Sequence, residues 1–177
     1  MVGWSYIESG LIRAFRWEPV EEMQQLPILN NSYYTYAYDV SSDGNIIVGE
    51  TSLLSAGSRA VRWRWNSGVE DLNAAYASLL QDGSLLTRAK AISSDGRYIV
   101  GQGIHASARR EEAFLLDTWI EGDTNGDCTV DDNDLLAVLF AFGTRGTGST
   151  RHEDINHDGI VDDADLLIVL FNFGSGC

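Results

Sequence analysis

The sequence predicts a mixed fold of two domains, in which an all-β repeat array over residues 1–118 precedes a small α-helical pair over residues 119–177. The first observation behind this prediction is a set of short apolar motifs that return at offsets of 46 or 52 residues. The second is an uneven charge: residues 121–177 hold 12 Asp and Glu against 2 Arg, whereas residues 1–120 hold 14 against 10 Lys and Arg. Such asymmetry predicts a domain boundary between the two parts.

The N-terminal repeats keep one phase across several independent motifs, which chance explains poorly. A Val-Gly step, an Ala-x-Arg-Trp segment and an apolar-Ser-Ser-Asp-Gly segment each occur more than once. The recurring segments are Val2-Gly3, Val48-Gly49 and Val100-Gly101; residues 14–17 and 60–63; and residues 40–44 and 92–96.

Each repeat predicts short antiparallel strands. Residues 36–40 and 46–49 flank Asp43-Gly44, and Asp-Gly between apolar runs predicts a tight hairpin because Gly accepts positive φ. Residues 59–65 alternate apolar and basic side chains, which indicates a half-buried strand, and residues 69–72 complete the unit. Four strands in about 46–52 residues are typical of one β-propeller blade. The chain holds about two and a half such units, so the array is incomplete.

These motifs resemble the HAF repeats of bacterial extracellular proteins over residues 1–118. The resemblance implies a secreted or cell-surface protein. No signal peptide is visible and the first residues lie inside a repeat, so we expect a missing N-terminal region that carries the export signal. No apolar run reaches membrane-spanning length.

The repeats contain no nucleophile elbow, no phosphate-binding glycine loop and no zincin helix, so we expect no enzyme activity. A stripe of tryptophans and arginines could stack on sugar rings, but an interpretation as strand core with cation–π-paired arginines is favoured. The stripe comprises Arg16, Trp17, Arg62, Trp63, Arg64 and Trp65.

Two acidic segments, 31 residues apart, place oxygen-bearing residues at positions 1, 3, 5, 7, 9 and 12 of a 12-residue calcium loop. The spacing predicts two Ca²⁺ ions. The expected ligands are Asp123, Asn125, Asp127, Thr129, Asp131 and Asp134 in the first loop, and Asp154, Asn156, Asp158, Ile160, Asp162 and Asp165 in the second. Position 6 is Gly159 in the second loop but Cys128 in the first, so we expect the first to bind more weakly. Val130 and Val161 at position 8 are expected to pair with each other.

Each loop leads into a Leu-rich segment that stops at Gly143 or Gly174, a normal helix end. Duplicated loops with Asp at position 12, each followed directly by such a helix, resemble a type I dockerin domain with tandem EF-hand-like loops. The resemblance implies protein docking onto a cohesin-like partner, in the context of polysaccharide catabolism. The partner contacts that it implies are Asp132, Asn133, Leu139 and Phe140, and Asp163, Ala164, Leu170 and Phe171.

Three functions remain open at this stage. The C-terminal helices are apolar nearly all round, and a small module cannot bury such a surface alone. It could therefore dock a divergent cohesin, or it could pack on the chain's own β domain as a calcium-stabilised clasp. The third possibility is a glycan-binding or glycan-degrading accessory protein. The acidic charge disfavours nucleic acid as a partner.

The two cysteines, Cys128 and Cys177, are too few for a zinc site. A disulfide between them would close a loop of about 50 residues and stabilise the fold by roughly 4 kcal/mol. It would also indicate an oxidising, extracellular compartment. Two free thiols are the alternative.

Overall fold

A computed structural model describes residues 1–65, 68–126, 129–145 and 152–176. The chain divides into two compact units, Met1–Asp117 and Thr118–Cys177. All ten described strands lie in the first unit and pair into three antiparallel sheets. No helix among the described residues has the length and apolar character needed to span a bilayer.

The first unit contains sheets of three, four and three strands, each a simple up-and-down meander. The strands are β1 Val2–Tyr6, β2 Ile12–Glu18 and β3 Glu22–Gln25; β4 Ser32–Val40, β5 Ile46–Leu53, β6 Gly57–Arg64 and β7 Gly68–Asp71; and β8 Leu85–Ile92, β9 Tyr98–His105 and β10 Arg110–Asp117. A short helix, α1 Leu72–Ala75, and a 3₁₀ turn, Ala77–Leu79, connect the second sheet to the third.

The turn between β4 and β5 explains one recurring motif. Gly44 takes a φ of 78°, which an L side chain rarely adopts. Asp43 accepts hydrogen bonds from the Ser41 hydroxyl and from the backbone N–H and side-chain amide of Asn45. Burial pushes the pKa of Asp43 up, but these hydrogen bonds outweigh it and hold the pKa below its usual value.

The Val-Gly step is required by a close approach between strands. A Cβ on Gly49 would lie 1.9 Å from the Tyr36 carbonyl oxygen and 2.9 Å from the Trp63 ring. A Cβ on Gly101 in β9 would likewise lie 1.9 Å from the Arg88 carbonyl oxygen. In both places the preceding strand carries a register irregularity, which brings its backbone against the glycine.

The middle sheet contributes to two apolar cores because successive residues of a strand face opposite sides. Ile47 and Val61 belong to one cluster, and Val48 and Ala60 belong to the other. Arg62 of β6 is fully buried, and its Nε donates to Glu70 Oε2 at 2.8 Å. This ion pair lets a guanidinium group occupy a buried strand position.

The second unit has two short helices, α2 Asp132–Ala141 and α3 Asp163–Phe171, which pack against each other around Val130, Val138, Ile155, Val161 and Val169. At ten and nine residues they are shorter than an isolated helix needs for stability, so their packing must hold them.

The predicted fold class is wrong, because the described residues form a mostly β structure with few helices, and no β array followed by an EF-hand helix pair is present among them. A full EF-hand has a helix before each loop as well as after it, whereas the sequence predicted only the helix that follows each loop. Gly122, with a φ of 100°, directly precedes the first loop, and the residues before the second loop form a turn. A left-handed residue ends any right-handed helix, so no helix can run into the first loop. Only one of the three described sheets has the four strands expected of a propeller blade.

Candidate functional site

Both C-terminal helices begin with a reciprocal capping box. The Asp131 carboxylate accepts the Asn133 N–H at 2.7 Å, and the Asp162 carboxylate accepts the Ala164 N–H at 2.8 Å. In return, Asp134 and Asp165 accept the backbone N–H of these N-cap residues. Each helix start is thereby fixed by two acidic residues that were predicted as metal ligands.

Asp134 and Asp165 are fully buried and join each loop to its helix. Asp165 Oδ1 accepts the N–H groups of Ile155 and Asn156 at 2.7 and 3.1 Å, and its Oδ2 accepts the N–H of Asp162 at 3.0 Å. Asp134 makes the equivalent contacts in the first loop. Three backbone donors around one carboxylate compensate the loss of hydration that burial causes.

Each loop is also held by the segment that follows the opposite helix. Val161 exchanges backbone hydrogen bonds with residues 143–144 at 2.8 and 3.0 Å. Val130 does the same with residues 174–175 at 2.8 and 2.9 Å. The expected pairing of Val130 with Val161 is therefore wrong, since both already pair elsewhere, and the two halves of the unit are interlocked.

The predicted ligands of the second loop make hydrogen bonds within the loop and at the helix start. Asp162 and Asp165 accept backbone N–H groups at the helix start, whereas Asp158 accepts the Ile160 N–H and the Asn156 side-chain amide. Asn156, Asp158 and Ile160 are exposed, while Asp154 is buried.

Among the residues that the structure describes, no three Asp, Glu, His or Cys side chains lie together in a way that could hold a metal ion. The prediction of a calcium-binding module of the dockerin type is therefore wrong for this part of the chain. The physical reason is that backbone N–H groups occupy the carboxylates that the spacing assigned to a common centre.

Asp154 differs from its neighbours in the second loop. It is 3% exposed, and its Oδ2 accepts the Gly159 N–H at 3.0 Å. Its Oδ1 is buried and has no hydrogen-bond partner among the described residues. A buried carboxylate oxygen without a donor is costly, and it is the one feature of this loop that calls for a positively charged group.

The first loop is described only in part. Asp123 is buried and accepts the Gly126 N–H at 2.7 Å; Asn125 and Thr129 are exposed, and Asp131 is half-buried. The predicted ligand Asp127 and the predicted disulfide between Cys128 and Cys177 lie outside the described residues.

An apolar surface is duplicated on the two helices. On α2, Leu136, Leu139 and Phe140 are 46%, 47% and 85% exposed; their counterparts on α3, 31 residues later, are 49%, 48% and 85% exposed. Residues at i, i+3 and i+4 lie on one helical face. We call these two triplets the apolar helix surface: Leu136, Leu139, Phe140, Leu167, Leu170 and Phe171.

The eight residues predicted to contact a partner are all exposed. Four of them belong to the apolar helix surface, and the others, Asp132, Asn133, Asp163 and Ala164, lie in the first turn of each helix. Leu136 and Leu167 were missed by sequence reasoning, as were the exposed Phe142 and Phe173 that follow the surface. The 31-residue repeat was the signal that could have found them.

Comparison with protein-family models, with curated proteins and with solved structures gives no match to this chain. Together with the missing EF-hand helix pair, this overturns the assignment of the C-terminal unit to the type I dockerin domains and of the N-terminal unit to the HAF repeats.

Proposed function

We propose that the C-terminal unit is a non-catalytic docking module that binds another protein through the apolar helix surface. The proposal is carried by the duplicated exposure of the same three apolar side chains on two helices. A soluble protein seldom leaves two phenylalanines 85% exposed on packed helices unless that surface has a use.

The charge of the unit indicates the chemistry of the partner. Asp132 and Asp163 are exposed one turn before Leu136 and Leu167, on the same helical faces. Residues 121–177 carry 12 acidic residues against 2 arginines. A second copy of this chain would be repelled by that charge. We therefore expect a protein with an apolar patch that is bordered by basic groups.

The two exposed phenylalanines should contribute most of the binding free energy. Burying one Phe side chain stabilises a complex by about 1.5–3 kcal/mol. Replacing Phe140 or Phe171 by Ser should therefore weaken binding by roughly 10- to 100-fold each.

The experiment uses the full chain as bait on extracellular proteins from the source, in parallel with the Phe140→Ser/Phe171→Ser double variant. Val20→Ser is the matched control, because Val20 is 91% exposed but lies in the N-terminal unit. A protein retained by wild type and by the control, but not by the double variant, is then purified. Calorimetric titration should show an affinity that falls as salt concentration rises.

Equal affinity of the purified partner for the double variant would refute docking at this surface. Dimerisation of the wild type in sedimentation experiments, abolished in the double variant, would show that the surface binds a second copy instead. If the double substitution destabilises the N-terminal unit, as measured by hydrogen exchange, the surface serves as an internal clasp.

We also propose that the second loop binds a cation. The observation that favours it is the buried carboxylate of Asp154, one oxygen of which has no hydrogen-bond partner among the described residues. The buried Oδ1 of Asp154 fits a hard divalent cation such as Ca²⁺, which oxygen atoms bind. Asp154, Asn156, Asp158 and the Ile160 carbonyl are the groups of this loop that would hold it. When bound, the cation would supply the positive charge that the buried carboxylate lacks.

The Asp154→Asn variant distinguishes stabilisation by a bound cation from the stability that the fold has without one. In EDTA the variant should be at least as stable as wild type, because an amide removes the uncompensated buried charge. With Ca²⁺ at 100 times its dissociation constant, wild type should gain about 2.7 kcal/mol and the variant nothing. Asp163→Asn, at an exposed position, should respond to Ca²⁺ like wild type. Absence of any Ca²⁺-dependent protection in the wild-type second loop would remove this part of the proposal.

A further inference from the structure

A cavity of about 170 Å³ opens in the N-terminal unit between the first and second sheets. Arg16 and Gln25 line it from the first sheet, and Asn45, Trp63 and Trp65 line it from the second. Its volume is below the roughly 300 Å³ at which pockets begin to hold drug-sized ligands, so it admits one ring and not a longer chain.

The lining contains two arginines, and each of them also faces a carboxylate outside the cavity. Two guanidinium groups, those of Arg16 and Arg64, border the cavity, and no carboxylate is among its described lining residues. Arg64 is partly neutralised, because its Nε lies 3.8 Å from Glu70 Oε2. Two guanidinium groups in a small concave site favour an anion.

Arg16 is held in place and keeps one free donor. Its guanidinium carbon lies 4.0 Å from the centroid of the Trp65 ring, and another of its nitrogens pairs with Glu18. Its Nη1 is buried and has no hydrogen-bond partner in the described part of the chain. A buried guanidinium N–H without an acceptor is costly, so a ligand oxygen towards which the Arg16 side chain turns this N–H would be favoured.

The remaining walls suit a hydroxylated ring. The indole N–H of Trp63 already donates to the Pro27 carbonyl at 2.7 Å, which leaves its ring as an apolar wall. Trp65 is 49% exposed at the rim. The amides of Gln25 and Asn45 offer donors and acceptors of the kind that bind sugar hydroxyls.

We infer that this cavity binds a single sugar residue that carries a carboxylate, a uronic acid, either free or at the end of an acidic polysaccharide. The Arg16 guanidinium binds the carboxylate, the amides bind hydroxyls and the indole rings contact the apolar face of the sugar. This site lies in the other unit from the proposed docking surface and does not depend on it.

The experiment is a calorimetric titration of the full chain with methyl β-D-glucuronide, and with methyl β-D-glucoside as the neutral counterpart. The glucuronide should bind at least about tenfold more tightly, because its carboxylate forms a charge-assisted hydrogen bond. Arg16→Gln should remove that preference, and Arg16→Lys should restore part of it. Arg110→Gln is the matched control, since Arg110 is an exposed arginine on β10, and it should bind like wild type.

Equal affinity for the two glycosides, or no binding of either by wild type, would overturn the inference without any variant. An Arg16→Gln protein that keeps its circular dichroism spectrum and still prefers the glucuronide would overturn the role of Arg16. Acetate, titrated in parallel, distinguishes a general carboxylate site from one that also needs the sugar ring: affinity equal to that of the glucuronide would refute the sugar.

Discussion

Replacing Asp165 by Ala should open the second loop of the C-terminal unit. The substitution leaves three backbone N–H groups, those of Ile155, Asn156 and Asp162, without their acceptor. A buried donor that loses its acceptor costs about 1–3 kcal/mol. Water that enters the space lowers the total, so we expect a loss of about 3–6 kcal/mol.

That loss is comparable to the whole stability of the unit. At about 0.05–0.15 kcal/mol per residue, a unit of about 60 residues is stable by about 3–9 kcal/mol. The unit should therefore unfold, or its second loop and α3 should open locally, while the N-terminal unit remains folded.

Hydrogen exchange followed by mass spectrometry on the full chain measures this locally. Protection of peptides from residues 154–171 should fall by about 100-fold or more, since each 1.4 kcal/mol is a factor of ten. Asp163→Ala is the control, because Asp163 is exposed and accepts no hydrogen bond of this kind in the described contacts. The loss should appear in EDTA as well as in Ca²⁺. Protection that falls less than tenfold, or equally in the control, would refute the role assigned to the buried carboxylate.

Three further predictions concern the N-terminal unit. Glu70→Gln leaves the buried guanidinium of β6 without its counter-charge and should cost about 3 kcal/mol in a thermal or urea melt; Glu111→Gln, at an exposed pair, should cost less than about 1 kcal/mol. Burial, and then a hydrogen bond to a carboxylate, raise the pKa of Tyr38, so its contribution to stability is complete below about pH 10 and is lost as the pH rises towards the folded-state pKa. Unfolding temperatures measured from neutral to alkaline pH should therefore fall more steeply for wild type than for Tyr38→Phe, and parallel curves would contradict this assignment. Gly49→Ala places a Cβ 1.9 Å from a main-chain carbonyl oxygen and should cost about 3 kcal/mol, whereas Gly3→Ala meets only a side-chain ring at 3.0 Å and should cost clearly less.

Local signals in the sequence predicted local structure well. The Asp43-Gly44 turn joins two strands as expected, because both the positive φ and the side-chain hydrogen bonds are properties of those residues. Residues 59–64 lie in β6, but the expected half-buried strand is wrong, because Arg62 is fully buried and Trp65 is 49% exposed beyond the end of the strand. The helices end two and three residues before Gly143 and Gly174, the glycines that were expected to stop them, and both glycines have positive φ.

Long-range pairing could not be predicted in this way. Loop spacing assigned Asp165 to a metal, but whether a carboxylate faces a cation or backbone N–H groups depends on how the chain closes around it. Val130 and Val161 have the same surroundings in sequence, which suggested that they pair, yet each pairs with a segment beyond the opposite helix. The cavity beside Arg16 is lined by residues of two different sheets. No contiguous sequence motif predicts which residues of the two sheets come together.

The interlocked halves of the C-terminal unit impose an order on its assembly. Val130 of the first loop hydrogen-bonds to residues 174 and 175, about 45 positions later. During synthesis, the first loop therefore cannot close until those late residues have left the ribosome. A stop codon or a bulky fusion placed directly before residue 174 should therefore disorder the first loop more than the second. This is expected although the second loop lies much closer along the chain to the altered position.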